Sequence, residues 1–220
     1  SERLTLYRQW IRDLNRPEET VSILVGVNAP QRCTEALLHE AGALAGEHRM
    51  GVHMHLLETR WQRDSGIAEG RDPLDKIVEA GLLNSRTSLA HCVQLAPDQM
   101  DRIGEAGATV VHNPTSNLFL GSGVMPLGEL RRRGIPVAFG SDGCNCATSH
   151  NLLEIARTAL LLERAREPDP ARWQPLSGWY DGLTRSGWRA MNSQETAGTL
   201  EAGAPADLIF CGMRNAALLP

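Results

Sequence analysis

The chain has little lysine, few aromatic residues and no strong net charge. Only Lys76 among its 22 basic residues is a lysine, aromatic residues make up 5%, and the formal net charge is -4. A chain with this balance offers no broad basic surface to attract nucleic acid or an anionic membrane. Its apolar runs are only as long as strands, and no secretory leader opens the sequence. We therefore expect no nucleic-acid partner and no membrane.

Paired cysteines are also absent. The five cysteines are dispersed and contain no Cys-x-x-Cys pair: Cys33, Cys92, Cys144, Cys146 and Cys211. An odd, scattered set argues against a disulfide framework or a zinc ribbon. A reducing cytoplasm fits this pattern best.

Short β-rich runs alternate with longer amphipathic stretches through the first three quarters of the chain. Strands are predicted over 21–27, 51–57, 87–91, 108–112 and 135–139, and helices over 34–47, 73–80, 97–106, 127–133 and 152–166. A polar loop is expected between the second strand and the helix at 73–80. Alternation of this kind indicates repeated β-α units and a parallel sheet.

Two parallel architectures fit these units, a doubly wound sheet and part of an eight-stranded barrel. A dinucleotide-binding sheet would have a glycine fingerprint after its first strand, but Asn28-Ala29-Pro30 follows instead. The barrel is therefore favoured, although a complete one takes about 250 residues. After a Pro-rich linker at 167–175, a helix is predicted over 176–191, then two short strands around a turn at 198–210.

Functional residues of a parallel barrel lie where its strands end. Four of the five predicted strands end in a His, Asp or Glu, although the chain has only seven histidines: His55 and Glu58, His91, His112, and Asp142. His55 and Asp142 are suitable ligands for a divalent metal such as zinc. Glu58 could take a proton from a metal-activated water, and His91 could hydrogen-bond the attacking oxygen.

Structural roles compete with these functional ones. His53 reads as a packed core residue, and Cys92 as a small buried hydrophobe rather than a nucleophile. His112 either faces the site or forms a hydrogen bond to a residue that lines it, and both interpretations stay open. Cys144 and Cys146 either line the pocket or belong to a plain loop.

Four ordered motifs resemble the amidohydrolase superfamily, within its deaminase and chlorohydrolase branch of cytosine, guanine and adenosylhomocysteine deaminases and triazine hydrolases. The motifs are His53-Met54-His55-Leu56-Leu57-Glu58-Thr59, Ala90-His91-Cys92-Val93, His112-Asn113-Pro114-Thr115-Ser116-Asn117 and Gly140-Ser141-Asp142-Gly143. The resemblance covers about 21–210. It implies α/β architecture, with a partial (β/α)8 TIM-type barrel of about strands four to eight.

The resemblance also implies roles. His55 and Asp142 would bind one divalent metal, which would be zinc, with iron and manganese as alternatives. Glu58, His91 and Asp142 would be catalytic, and His91, His112 and Asn117 would contact substrate. The barrel portion would span 1–192, and 193–220 would form a β tail belonging to a small sandwich domain.

One departure from the family is important. The family's first strand supplies a His-x-His pair of metal ligands, and nothing before Val21 can take that role. Catalytic zinc normally has three protein ligands, and two clear ones are present here. We therefore expect a piece of a longer protein, or a site completed by another chain, and a metal that can be absent from this chain alone. An open barrel would also expose strand edges, which predicts self-association into a homo-oligomer.

The sequence thus predicts a metal-dependent aminohydrolase that deaminates a small nitrogen heterocycle, such as a purine, pterin or pyrimidine. Glu58 favours deamination because related enzymes that displace halide can dispense with such an acid. Two alternatives remain. One is displacement of chloride or an alkylamine from a triazine-like ring, or hydrolysis of a cyclic amide. The other is a catalytically silent fragment.

Overall fold

A computed structural model describes residues 2–15, 22–147, 149–192 and 197–210. Five strands form the sheet: β1 (Val25–Val27), β2 (Val52–Leu56), β3 (Thr87–His91), β4 (Thr109–His112) and β5 (Val137–Phe139). Ten α-helices occur in these residues: α1 (Glu2–Leu14), α2 (Glu35–Glu47), α3 (Arg60–Ala68), α4 (Pro73–Glu79), α5 (Pro97–Glu105), α6 (Pro114–Phe119), α7 (Leu127–Arg132), α8 (Leu152–Arg166), α9 (Leu176–Leu183) and α10 (Arg185–Ala190).

The strands pair in chain order, β1-β2-β3-β4-β5, and every pairing is parallel. Each connection contains a helix, as a crossover between adjacent parallel strands requires. The predicted alternation of strands and helices into a parallel α/β sheet is therefore confirmed. The carboxyl ends of all five strands lie at one edge, which brings the predicted site residues together.

Local sequence explains where several helices begin and end. The Thr34 and Asn151 side chains cap α2 and α8 by accepting hydrogen bonds from backbone N–H groups. Thr59 and Gln62 form a reciprocal capping box at the start of α3. Gly134, with φ of 71°, follows α7 in the left-handed conformation that glycine adopts without steric cost.

The main core lies between the sheet and its helices. Met54, Leu56 and Leu89 from the strands are fully buried in one cluster with Ile77 and Ile103 from the helices. The opposite face is open at β1 and β2, where Gly26 and His53 are exposed, whereas all residues of β3 are buried. Val52, Met54 and Leu56 alternate with His53 and His55, so the two histidines share the open face.

Several predicted elements differ in the structure. The predicted polar loop after β2 contains α3, and the helix predicted over 176–191 divides into α9 and α10 at Thr184, whose φ and ψ of -125° and -94° are not helical. The helices α1 and α6 were not predicted. The strand predicted over 21–27 is shorter, since only Val25–Val27 pairs with β2.

The two strands predicted over 198–210 are wrong, because residues 197–210 contain turns and irregular chain. Leu200, Ile209 and Phe210 are each 91% exposed, and a strand needs a neighbour to pair with. The rest of the proposed tail domain, 193–196 and 211–220, lies outside the described residues, as does Cys211. Within the part of the chain that the structure describes, no helix is long and apolar enough to cross a bilayer.

Candidate active site

Unusual backbone conformations mark the ends of three strands. Leu57 after β2, His91 and Cys92 at the end of β3, and Asp142 after β5 all have positive φ, between 46° and 73°. Residues other than glycine seldom adopt this region, and such strain concentrates at functional sites because the surrounding structure must hold it. The strain coincides with the strand ends that carry the predicted catalytic residues.

His55 presents one ring nitrogen to the site. Its Nδ1 lies 2.6 Å from the carbonyl oxygen of Asn28, at the end of neighbouring β1. Because a carbonyl only accepts, Nδ1 donates, and Nε2 keeps the lone pair that a metal would use. Metal-binding histidines are typically oriented in this way by a hydrogen bond on their second nitrogen.

His53 is not the packed core residue that was predicted. Its side chain is exposed on the open face of the sheet, and its Nδ1 lies 2.7 Å from the Ser88 hydroxyl. The desolvation caused by surrounding atoms lowers its pKa, and the nearby His55 and His91 lower it further. The alternation of β2 accounts for the difference, because it places His53 on the same face as His55.

His91 is buried beside His55, with the two rings stacked 5.4 Å apart between centroids. Its Nδ1 lies 2.8 Å from Oδ1 of Asn117, and its Nε2 lies 3.7 Å from Oδ2 of Asp142. Nδ1 therefore donates to Asn117, and Nε2 is directed toward the Asp142 carboxylate. Asn117 thus contacts His91, and its predicted contact with substrate stays a prediction.

Asp142 is held in its ionised form by two hydrogen bonds. Burial opposes ionisation, but the Ser116 hydroxyl donates to Oδ2 at 2.6 Å and the Gly143 N–H donates to Oδ1 at 2.8 Å. With a contribution from nearby His91, these bonds lower the pKa of Asp142 below its usual value. The carboxylate is therefore ready to bind a cation or accept a proton.

Glu58 is partly buried and is held at both ends. The Ser122 hydroxyl donates to its Oε1 at 3.2 Å, and its backbone N–H donates to Oε1 of Gln62 at 2.5 Å. Gln62 belongs to the capping box of α3, so the start of that helix sets the position of Glu58. One carboxylate oxygen, Oε2, makes no hydrogen bond to the described residues.

His112 occupies a different environment from the other site residues. It alternates with Val111 on β4, which places it on the same side as the core residue Val110, and its ring lies 6.3 Å from that of Phe139. Burial, with nearby Arg131 and His91, lowers its pKa to about 3. The role of His112 in binding substrate stays a prediction. Its buried position beside Phe139 favours the alternative, in which it stabilises the residues that line the site without contacting substrate.

The loop after β5 adds a second polar cluster. The thiol of Cys144 lies 2.8 Å from Nε2 of His150, whose Nδ1 lies 2.7 Å from the Ser141 hydroxyl. Cys146 is buried and its thiol donates to the carbonyl oxygen of Gly143 at 3.3 Å. Burial raises the pKa of Cys92, as expected of a structural thiol.

The sequence did not reveal the residues that position the site. Ser116 lies within the motif that begins at His112, but its bond to Asp142 joins separate strand ends. Ser122 and the Asn28 carbonyl carried no sequence signal, since a serine in a glycine-rich loop and a backbone oxygen are common features. Only the folded arrangement shows what they contact.

The donor chemistry fits a divalent metal, but the ligand set is partial. His55 and Asp142 supply an imidazole and a carboxylate, and His55 is oriented as a ligand would be. Nevertheless, no three His, Cys, Asp or Glu side chains of the described residues form a group able to hold a metal ion. A catalytic zinc would therefore need at least one ligand from outside this set.

Solved structures with the same architecture contain zinc. An adenosine deaminase from Xanthomonas campestris, solved with bound zinc, is 32% identical, with a TM-score of 0.80 over 84% of this chain and 42% of that one. The zinc complex of atrazine chlorohydrolase TrzN from Arthrobacter aurescens is 25% identical, with a TM-score of 0.86 over 92% of this chain and 45% of that one. The predicted partial TIM-type barrel is thus confirmed.

The amidohydrolase family model matches residues 2–217, and the chain belongs to that family. The 5'-deoxyadenosine deaminase of Methanothermobacter thermautotrophicus is 32% identical over 92% of this chain. The 5-methylthioadenosine/S-adenosylhomocysteine deaminase of Moorella thermoacetica is 35% identical over the same share. The chain spans 47% of the length of each of these two relatives.

Proposed function

We propose that this chain supplies the catalytic carboxyl-terminal part of an aminohydrolase that removes an amino group from a nitrogen heterocycle. The observation that supports this most directly is Glu58, held by Ser122 at the strand end next to His55 and His91. The relatives named above are deaminases of adenine nucleosides, so a purine bearing an exocyclic amino group is the substrate class we favour. The barrel portion would be 1–192, with 193–220 as a separate tail domain.

Asp142 and Glu58 would each carry out one of the proton transfers that deamination requires. Water adds through its oxygen to the ring carbon, the bond from that carbon to the amino nitrogen breaks, and ammonia leaves. Asp142, ionised, accepts a proton from the water and passes it to the leaving nitrogen. Glu58 takes the second proton of the water and delivers it to the adjacent ring nitrogen, so that the added oxygen becomes the carbonyl of the product, and His91 hydrogen-bonds the attacking oxygen through Nε2. A divalent metal, for which we propose zinc, would be held by His55 and Asp142 and would supply the Lewis acidity that makes water ionise near neutral pH.

The decisive substitution is Glu58→Gln in a protein long enough to span its relatives. The glutamine side chain has the same size and can still accept the hydrogen bond from Ser122, but it cannot transfer a proton to the substrate. We therefore expect ammonia release from aminopurines to fall by about 100-fold or more. Ser65→Ala is a matched control, since that hydroxyl only bonds backbone carbonyls of α3. Unchanged turnover in Glu58→Gln would refute the role of Glu58.

A second candidate is displacement of a substituent from a triazine ring. The structural likeness to the chlorohydrolase supports it, with a TM-score of 0.86. A panel of aminopurine, pterin, pyrimidine and chlorotriazine compounds separates the two, because deamination releases ammonia and dechlorination releases chloride. Chloride release alone would favour the second candidate. No product from any compound, with the long protein folded and loaded with zinc, would favour a catalytically silent protein.

A further inference from the structure

A cavity of about 720 Å³ lies at the amino ends of the strands, opposite the candidate active site. It is lined by residues just before β3 and β5, by Arg131 from α7, and by α9 and α10. Its size falls within the range of about 300 to 1,000 Å³ that small-molecule sites occupy. None of its lining residues belongs to the proposed catalytic set.

Positive charge is concentrated in this cavity. Four arginines line it, namely Arg86, Arg131, Arg185 and Arg189, and Asp181 is the one acidic residue among the described lining residues. Four positive charges against one negative give the lining a formal charge of +3, whereas the whole chain carries -4. Asp181 itself accepts a hydrogen bond from Ser186 at 2.7 Å and lies 4.0 Å from Nε of Arg185.

Arg131 is held in place without a hydrogen-bonded anion. Its guanidinium lies 4.8 Å from the centroid of the Trp179 ring and 5.8 Å from that of Phe139, so two aromatic faces orient it. Its Nη1 is buried and has no hydrogen-bond partner among the described residues. The guanidinium is therefore fixed at the wall of the cavity by ring faces, and it contributes its positive charge to the lining.

Two further arginine side chains each make a single hydrogen bond to the residues that the structure describes. Arg86 donates Nε to the carbonyl of Met50 at 3.4 Å, and Arg189 donates Nη2 to the carbonyl of Gly107 at 3.3 Å. Neither forms an ion pair with a described carboxylate. By contrast, Arg102 and Arg133 bind aspartates at 2.6 and 2.7 Å.

We propose that this cavity is a binding site for a phosphate-bearing anion, separate from the catalytic site. Guanidinium groups match the geometry of phosphate oxygens, and several converging on one space would bind more than one phosphate oxygen at once. Ser85 and Asn192 add polar groups to the lining that can complete the hydrogen bonding. The ligand is either free phosphate or pyrophosphate, or a phosphate ester carried by a small metabolite.

The test is calorimetric titration of the 220-residue chain, and of a longer protein that contains it, with pyrophosphate and with ribose 5-phosphate. We expect at least one to bind, with an affinity that weakens as salt is added. Tighter binding of pyrophosphate would indicate a site for free phosphate groups, and tighter binding of ribose 5-phosphate a site for a phosphate ester. Failure of both to bind a folded protein would overturn the proposal.

Matched variants locate the site. Arg86→Gln with Arg189→Gln removes two cavity charges, and we expect affinity to fall by about tenfold or more. Arg12→Gln with Arg157→Gln removes two exposed charges elsewhere and should leave binding unchanged. Equal loss in the two pairs would show nonspecific attraction and refute the site. If the first pair of substitutions unfolds the protein, Arg185→Gln, at an exposed position, removes one cavity charge instead and should also weaken binding. Glu58→Gln should bind the phosphate ligand as the wild type does, because Glu58 lies outside the cavity.

Discussion

Asn117 and His91 form the hydrogen bond that determines which ring nitrogen of His91 faces the site. Asn117 Oδ1 lies 2.8 Å from Nδ1, which leaves Nε2 directed at Asp142, 3.7 Å away. The bond joins the last residue of β3 to α6, which follows β4, so it also connects two strand ends. Asn117 therefore acts as a positioning residue for His91 in the reaction that we propose.

Replacing Asn117 by leucine should lower kcat in the long protein. The His91 ring would lose the acceptor that selects its orientation, and the loss of such a supporting contact costs about 10- to 100-fold. Steady-state kinetics with an aminopurine measures the effect, and Asn117→Asp should restore part of it because it keeps an acceptor. An unchanged kcat in Asn117→Leu would count against the positioning role.

Ser122→Ala should reduce turnover by several-fold, or about 1 kcal/mol of barrier, with little change in KM. The Ser122 hydroxyl is the one side-chain donor to the Glu58 carboxylate among the described residues. Its removal would let that carboxylate rotate away from the substrate. Steady-state kinetics with an aminopurine measures both constants, and a variant with wild-type kcat would contradict this.

His112→Leu should make the fold less sensitive to acid. His112 is 1% exposed, and burial lowers its pKa to about 3, so it stays neutral in the folded chain while the unfolded chain binds a proton below about pH 6.5. Stability is therefore lost as pH falls between these values, by about 2 kcal/mol at pH 5 relative to pH 7. Urea unfolding at both pH values should show a smaller loss in the variant; equal losses would refute this.

Glu163→Gln should stabilise the chain at pH 7. Glu163 is 6% exposed, and neither carboxylate oxygen has a hydrogen-bond partner in the described part of the chain. Burial raises its pKa, an effect that Arg131, Arg132 and Arg164 oppose. The ionised form is thus disfavoured in the fold, and wild-type stability improves as pH falls through the raised pKa. We expect a melting temperature about 2 °C higher for the variant at pH 7 and a smaller difference near pH 4. A lower melting temperature at pH 7 would contradict this.

Metal content should depend on His55 and on chain length. Elemental analysis of a protein as long as its relatives should find about one zinc per chain, lost in His55→Ala, since removal of one of three protein ligands opens the site. The 220-residue chain, with two convergent ligands in its described residues, should hold zinc far more weakly unless a second copy completes the site. Full zinc occupancy in His55→Ala would refute the assignment of His55.

The sequence alone determined the architecture and the edge of the sheet at which the predicted site residues lie. Alternating strand and helix periods indicated five parallel units because each period follows from local backbone geometry. Parallel strands bring their carboxyl ends to one edge, so His55, Glu58, His91 and Asp142 could be placed together before any contact was known. The exact bounds of Thr87–His91 and Leu152–Arg166 were also predictable, since turn and capping residues flank them.

Only the tertiary structure decided which atoms meet. The alternation of β2 places His53 on the same side as His55, but the sequence does not show what covers that side, so His53 was interpreted as a core residue although its side chain is exposed. The bonds from Asn117 to His91, from Ser116 to Asp142 and from Ser122 to Glu58 join residues distant in sequence. The arginine cavity likewise gathers side chains from separate elements. Such contacts arise from packing of whole elements, and no local pattern records them because residue spacing in the chain does not specify distance in space.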